Sequence, residues 1–147
     1  MLEKKPTLIF MTCGLFLLLD QILKWQALHG WRGAVIFYKF FGWYPFLNPG
    51  IAFSLPAPNW LIVGLSIPVI GLMYFLSRAM YYEGRLRQAW ALAFIFTGAL
   101  SNLADRIVYQ HTVDYVRLFT GVVNVADGLI LFGFAMYFFN RKSLIFK

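Results

Sequence analysis

The sequence predicts an all-α membrane protein of four transmembrane helices with a small extracytoplasmic β-sheet, and three observations carry this. Of 147 residues, 61% are apolar and 20% aromatic while 13% are charged, against the ~25% charged residues of ordinary soluble domains. Four apolar runs approach the ~20 residues that a helix needs to cross a hydrocarbon core ~30 Å thick. The one stretch rich in β-branched and aromatic residues between glycines lies outside those runs. The runs use over half the chain and leave no room for a separate soluble domain, so residues 1–147 read as a single membrane domain.

The first run covers about residues 7–28 behind Lys4 and Lys5 and imitates a signal peptide. It lacks a small-x-small cleavage site and continues into Asp20, Gln21 and Lys24, so it is expected to remain as a span. Residues 29–58 follow, in which Val35, Phe37, Lys39 and Phe41 alternate with Ala34, Ile36, Tyr38 and Phe40 between Gly33 and Gly42. That texture predicts a short strand or hairpin, and two apolar faces suit a sheet lying on the membrane surface. The second run covers about residues 59–77, with a kink expected at Pro68, which a membrane helix tolerates when neighbours satisfy the freed carbonyl. The third covers about 89–108 and the fourth about 122–140.

Charge orients these spans. Lys4 and Lys5, then Arg78, Arg85 and Arg87, then Arg141, Lys142 and Lys147 form three groups, while 28–59 and 107–121 carry only Arg32, Lys39 and Arg117. The excess of Lys and Arg on cytoplasmic loops then puts both termini in the cytoplasm and the two longer connections outside. The same rule accounts for the net charge of +7 without a nucleic-acid partner. Trp25, Trp31, Trp43 and Trp60 fall at the outer interface and Trp90 at the inner one, where amphipathic rings settle. The single cysteine, Cys13, excludes an internal disulfide and reads as a small buried hydrophobe.

Only six acidic residues occur: Glu3, Asp20, Glu83, Asp105, Asp114 and Asp127. Threading the spans puts all four aspartates in one outer layer. Asp20 and Lys24 end the first span, and Asn48 precedes the second. Asn102, Asp105 and Arg106 lie roughly 20–25 Å from the inner start of the third, at 1.5 Å per residue. Asp114 sits in the loop that follows, and Asn124 and Asp127 occupy the first two turns of the fourth. Carboxylates at a bilayer edge are costly unless paired or hydrated and mark function by default. Asp20 has Lys24 four residues on, a helical neighbour, and Asp105 has Arg106 beside it, so both read as ion pairs. Asp127 has no basic residue within nine positions, and Asp114 has only Arg117 nearby. Asp114 and Asp127 are therefore the least neutralised pair.

Two close carboxylates in a poorly solvated place share a proton, the arrangement that aspartic proteases use to activate water and polarise a carbonyl. Competing chemistries are poorly supplied. The two histidines, His29 and His111, lie outside any H-E-x-x-H helix, and no G-x-S-x-G elbow or glycine-rich phosphate loop occurs. Ser101 reads as a polar packing residue. The alternative is a transport or proton-relay protein, but a pathway needs polar groups at successive depths and the inner halves of the runs are almost wholly apolar.

The motifs resemble one family, lipoprotein signal peptidase (signal peptidase II), over nearly the whole chain. Asp20-Gln21-Ile22-Leu23-Lys24 is similar to its D-Q-x-x-K, and Asn48-Pro49-Gly50-Ile51-Ala52-Phe53 to its N-x-G-x-A-F box. Gly98-Ala99-Leu100-Ser101-Asn102-Leu103-Ala104-Asp105-Arg106 resembles G-A-L-x-N-x-x-D-R, Val113-Asp114-Tyr115 resembles V-D-F, and Asn124-Val125-Ala126-Asp127 resembles N-x-A-D. The resemblance implies a catalytic dyad of Asp114 and Asp127. Asn48, Gly50, Asn102, Arg106 and Asn124 would position substrate or orient the dyad, and Asp20, Lys24 and Asp105 would form the supporting network. Tyr115, where the family usually has phenylalanine, would add a hydroxyl near the dyad. The implied activity is removal of signal peptides from diacylglyceryl-modified prolipoproteins, before the lipobox cysteine, at the outer face of the bacterial cytoplasmic membrane. The implied partners are those lipid-modified signal peptides and membrane lipid. The chain would act as a monomer, without metal or organic cofactor.

Overall fold

A computed structural model describes residues 6–31, 33–37, 40–50 and 55–139. The basic groups at both termini, Arg32, Lys39 and the Ile51-Ala52-Phe53 part of the second motif lie outside the described residues. In chain order the elements are α1 (Thr7–His29), β1 (Val35–Phe37), β2 (Phe41–Asn48), α2 (Asn59–Tyr82), α3 (Leu86–Tyr109), β3 (Thr112–Leu118), β4 (Gly121–Val123) and α4 (Val125–Phe138).

The helices α1, α2 and α3 are long and apolar enough to cross a membrane, and α4 is a shorter apolar helix of 14 residues, about 21 Å at 1.5 Å per residue. The packing is inside-out relative to a soluble protein. Leu8, Met11, Leu15 and Leu18 of α1 and Leu65, Val69, Leu72 and Phe75 of α2 are exposed, a face that water does not tolerate at this size and lipid does. The helix α3 is the hub, packed against α1, α2 and α4. Its buried residues include Ala89, Ala91, Ala93, Thr97, Gly98 and Ser101, small side chains that let helix backbones approach closely in a membrane. A Cβ on Gly98 would meet the Ala126 carbonyl oxygen at 2.3 Å, and one on Gly133 the Ala91 carbonyl oxygen at 2.6 Å, so α3 and α4 touch nearly backbone to backbone. The helix α2 runs unbroken through Pro68. It ends in a Schellman motif, with Arg85 N–H donating to Met80 O and Gly84 N–H to Tyr81 O, made possible by Gly84 at φ 76°.

The sheet is antiparallel in the order β1-β2-β3-β4. Its first two strands form the expected hairpin. Its other two differ from the sequence reading, which left residues 109–121 as loop and began the last span near 122. Thr112, Val113, Asp114 and Tyr115 of β3 are buried, paired to β2 across an irregularity between Trp43 and Phe46. Pro45 sits inside that irregularity, where its missing N–H breaks no ladder bond. Val122 and Val123 pair with Arg117 and Val116, so β4 takes the residues before Asn124 and the helix starts only at Val125. Asn124 makes that start sharp. Its side chain accepts from Asp127 N–H at 2.8 Å while Asp127 Oδ2 accepts from Asn124 N–H at 3.2 Å, a reciprocal capping box.

Candidate active site

All ten residues singled out by sequence meet at the end of the helices beside the sheet. Asp20 and Lys24 come from α1, Asn48 ends β2 and Gly50 follows it. Asn102, Asp105 and Arg106 lie on α3, Asp114 on β3, and Asn124 and Asp127 at the start of α4.

Two layers build the site. The inner layer is ionic. Lys24, 1% exposed, lies 2.8 Å from Asp20 Oδ2 and 2.8 Å from Asp105 Oδ2. Each of those carboxylates also accepts from backbone beside a member of the proposed pair. Asp105 Oδ2 takes Val113 N–H at 3.1 Å, and Asp20 Oδ1 takes Ala126 N–H at 3.3 Å. One ammonium thus ties together the two carboxylates that anchor β3 next to Asp114 and α4 next to Asp127. The expected Asp105–Arg106 pair does not form. Adjacent helical positions diverge by about 100°, so Asp105 turns to Lys24 and Gln21 while Arg106 donates to the Gly50 carbonyl and to Asn59 Oδ1.

The outer layer is made of neutral amides. Asp114 Oδ2 accepts from Asn48 Nδ2 at 3.0 Å and its Oδ1 from Asn124 Nδ2 at 2.7 Å. Asp127 Oδ1 accepts from Asn102 Nδ2 at 2.9 Å, and Asn102 Oδ1 in turn accepts from Lys24 Nζ at 3.0 Å and Asn124 Nδ2 at 3.1 Å. Asn124 therefore touches both carboxylates. Neither Asp114 nor Asp127 has a cation at ion-pair distance among the described residues. Arg117, the one basic residue near Asp114 in sequence, donates to the Phe119 carbonyl and lies over the Tyr44 ring instead.

Burial raises the Asp114 carboxyl from the usual carboxylate range to about 7, helped by the charge of Asp127 and opposed by the amide of Asn48, the charge of Lys24 and the amide of Asn124. Asp114 is 1% exposed and Asp127 half-buried. The arrangement provides a carboxyl that retains a proton near neutrality beside a second carboxylate that water can reach.

Four more residues belong to this cluster. Ser101 Oγ donates to Asp20 Oδ2 at 2.6 Å and accepts from Gln21 Nε2 at 2.9 Å. Asn59 Nδ2 donates to the Arg106 carbonyl at 3.2 Å. The Tyr115 hydroxyl donates to Asp20 Oδ1 at 2.7 Å and accepts from Val125 N–H at 3.1 Å. The hydroxyl lies beside the first turn of α4 and makes no hydrogen bond to Asp114 or Asp127, because successive strand side chains point to opposite faces and Asp114 occupies the other one. With Asp20 on Ala126 and Asn124 on Asp127, the first three N–H groups of α4, otherwise unsatisfied, all have acceptors. Asp20 with Tyr115 could have been suspected only by knowing that β3 is a strand.

Comparisons with known proteins place the chain in a family. The family described as signal peptidase (SPase) II matches residues 12–141. A lipoprotein signal peptidase of Listeria monocytogenes serovar 1/2a is 30% identical, covering 85% of this chain and 90% of that protein. One from Listeria innocua is 32% identical over 78% of this chain and 80% of its own length. Two solved bacterial membrane enzyme structures share the fold at a TM-score of 0.75 and 17% identity, over 88% of this chain and 84% and 89% of theirs. The chain belongs to the signal peptidase II family of membrane peptidases.

Proposed function

We propose that this protein removes the signal peptide from diacylglyceryl-modified prolipoproteins as an aspartic endopeptidase, with Asp114 and Asp127 as its catalytic pair. The observation that carries the chemistry is the donor set. Two carboxylates from different elements share one asparagine, and among the described residues every hydrogen bond to their oxygens comes from a side-chain amide or backbone N–H. Cations would hold both groups ionised, whereas amides orient them and leave room for one shared proton.

In this reading Asp114 holds that proton and donates a hydrogen bond to the scissile carbonyl oxygen. Asp127, the more accessible of the two, takes a proton from water as the water oxygen bonds to the carbonyl carbon. The tetrahedral adduct collapses when a carboxyl proton passes to the departing amide nitrogen and the C–N bond breaks, regenerating a pair with one proton. Asn48, Asn102 and Asn124 orient the carboxylates. Asp20, Lys24 and Asp105 fix the backbone on either side, and Arg106 holds Gly50 and so the segment after β2.

The membrane placement follows from the same reading. With α4 as a fourth span and the basic groups in the cytoplasm, 1–147 forms one membrane domain of the bacterial cytoplasmic membrane, the pair opens at its outer surface, and the chain works as a monomer among lipids. The scissile bond of a lipid-anchored precursor lies at that depth. The test is purified protein in detergent with a diacylglyceryl-modified prolipoprotein. Cleavage before the modified cysteine is expected, and Asp114→Asn or Asp127→Asn should each abolish it while leaving the fold intact. Full cleavage by either folded variant refutes the pair.

A further inference from the structure

At the end of the helices remote from the aspartates, α1 and α2 both pack on α3 and make little contact with each other. A slot of about 140 Å³ opens there. Phe10, Cys13 and Phe96 contribute apolar wall, and Tyr74, Arg78 and Tyr82 of α2 stand along one side. Arg78 is held in a way that a surface arginine does not need. Its guanidinium donates to the hydroxyls of Tyr74 at 3.2 Å and Tyr82 at 3.0 Å, and lies 5.9 and 5.6 Å from the centres of those two rings. Phenols and rings orient the charge without neutralising it, and among the described residues no carboxylate comes within ion-pair distance of it.

An oriented cation with no carboxylate partner among the described residues, beside an apolar slot between lipid-facing helices, is complementary to one class of molecule, with an anion at one end and a hydrocarbon chain at the other. A free phosphate would use the cation and leave the slot empty, and a zwitterionic lipid would bring its own cation against Arg78. We propose that the slot binds one anionic glycerophospholipid of the bilayer, its phosphate on Arg78 and an acyl chain between α1 and α2, against α3. This site is separate from the carboxylate pair and does not depend on the peptidase reading.

The test is native mass spectrometry of the detergent-purified protein with dioleoyl phosphatidylglycerol or dioleoyl phosphatidylcholine, which differ only in headgroup. Wild type should retain the anionic lipid about fivefold over the zwitterionic one, the scale of one basic side chain at an anionic membrane surface. Arg78→Gln should bring that ratio near one, Arg117→Gln at the opposite end should leave it unchanged, and Cys13→Phe, which fills the slot, should lower retention of both lipids. Inorganic phosphate should fail to displace the bound lipid. Equal retention of the two lipids by wild type, an unchanged ratio in Arg78→Gln, unchanged retention in Cys13→Phe, or displacement by inorganic phosphate would each overturn the proposal.

Discussion

Replacing Asp114 by asparagine should destroy cleavage and at the same time stabilise the protein, but only above mildly acidic pH. The reasoning starts from the Asp114 carboxyl, raised from 3.8 to about 7 by burial and by Asp127. A group whose folded pKa is raised binds its proton more tightly in the folded state than in the unfolded one. Its contribution is therefore fully present below about pH 4 and is lost as pH rises towards 7. Three units correspond to roughly 4 kcal/mol at 1.36 kcal/mol per unit, an upper figure for the cost of keeping this group in the fold at neutral pH. Asparagine removes that cost but has a single acceptor oxygen, whereas Asp114 accepts on both oxygens from Asn48 and Asn124. One of those two bonds is lost, at about 1–3 kcal/mol for a buried donor left without partner. The balance is about 1–3 kcal/mol in favour of Asp114→Asn at pH 7.5, shrinking below pH 7 and reversing near pH 5. Thermal unfolding of both proteins in one detergent across that pH range measures it. If Asp114→Asn melts below wild type by the same margin at every pH, the carboxyl carries no raised pKa and the shared-proton argument loses its basis.

Lys24→Met leaves Asp20 and Asp105 buried without their common cation, so it should cost at least the ~3–5 kcal/mol of a broken buried ion pair, read as a large drop in melting temperature or failure to purify folded. Tyr115→Phe keeps the ring but strips the acceptor from Val125 N–H and a donor from Asp20; a loss of about 1–3 kcal/mol is expected by thermal melting, with cleavage retained because the hydroxyl hydrogen-bonds neither carboxylate of the pair. Gly98→Ala puts a methyl group 2.3 Å from the Ala126 carbonyl oxygen, so α3 and α4 must separate at about 1–3 kcal/mol. Gly128→Ala on α4, where a Cβ meets nothing within 4 Å, is the control that should melt like wild type in the same assay.

What could be read from the chain, and what could not, divides by the distance over which each feature is determined. The long apolar helices are local, because a helix satisfies its own backbone and lipid demands only an uninterrupted apolar run. The hairpin of β1 and β2 is local too. The strand β3 is not, since Asp114 pairs with Phe46 and its neighbours are set by residues more than 60 positions away, with two helices between. A strand specified by such a partner looks like loop in a single sequence, so the bonds of the Tyr115 hydroxyl to Asp20 and Val125 N–H could not be read from it. The same division runs through the site. A chain with so few charges makes each aspartate conspicuous, so the membership of the cluster was readable. Its wiring was not, because sequence adjacency suggested Asp105 with Arg106 while helix geometry points them apart.

That wiring also explains why the four aspartates fall into two kinds. Asp20 and Asp105 are neutralised by one lysine and spend their remaining lone pairs on backbone N–H groups of α4 and β3. Asp114 and Asp127, on the elements so held, are left with amide partners alone. Burial near the bilayer makes a bare carboxylate expensive, and a proton shared between two of them relieves that cost more cheaply than a second cation. A second cation would also keep both ionised and end the acid–base asymmetry. Among the described residues no cation is in ion-pair contact with either carboxylate; the proposed chemistry turns on that property, and placing a cation there, as in Asn48→Lys, should stop cleavage by holding Asp114 ionised, even where the fold is kept.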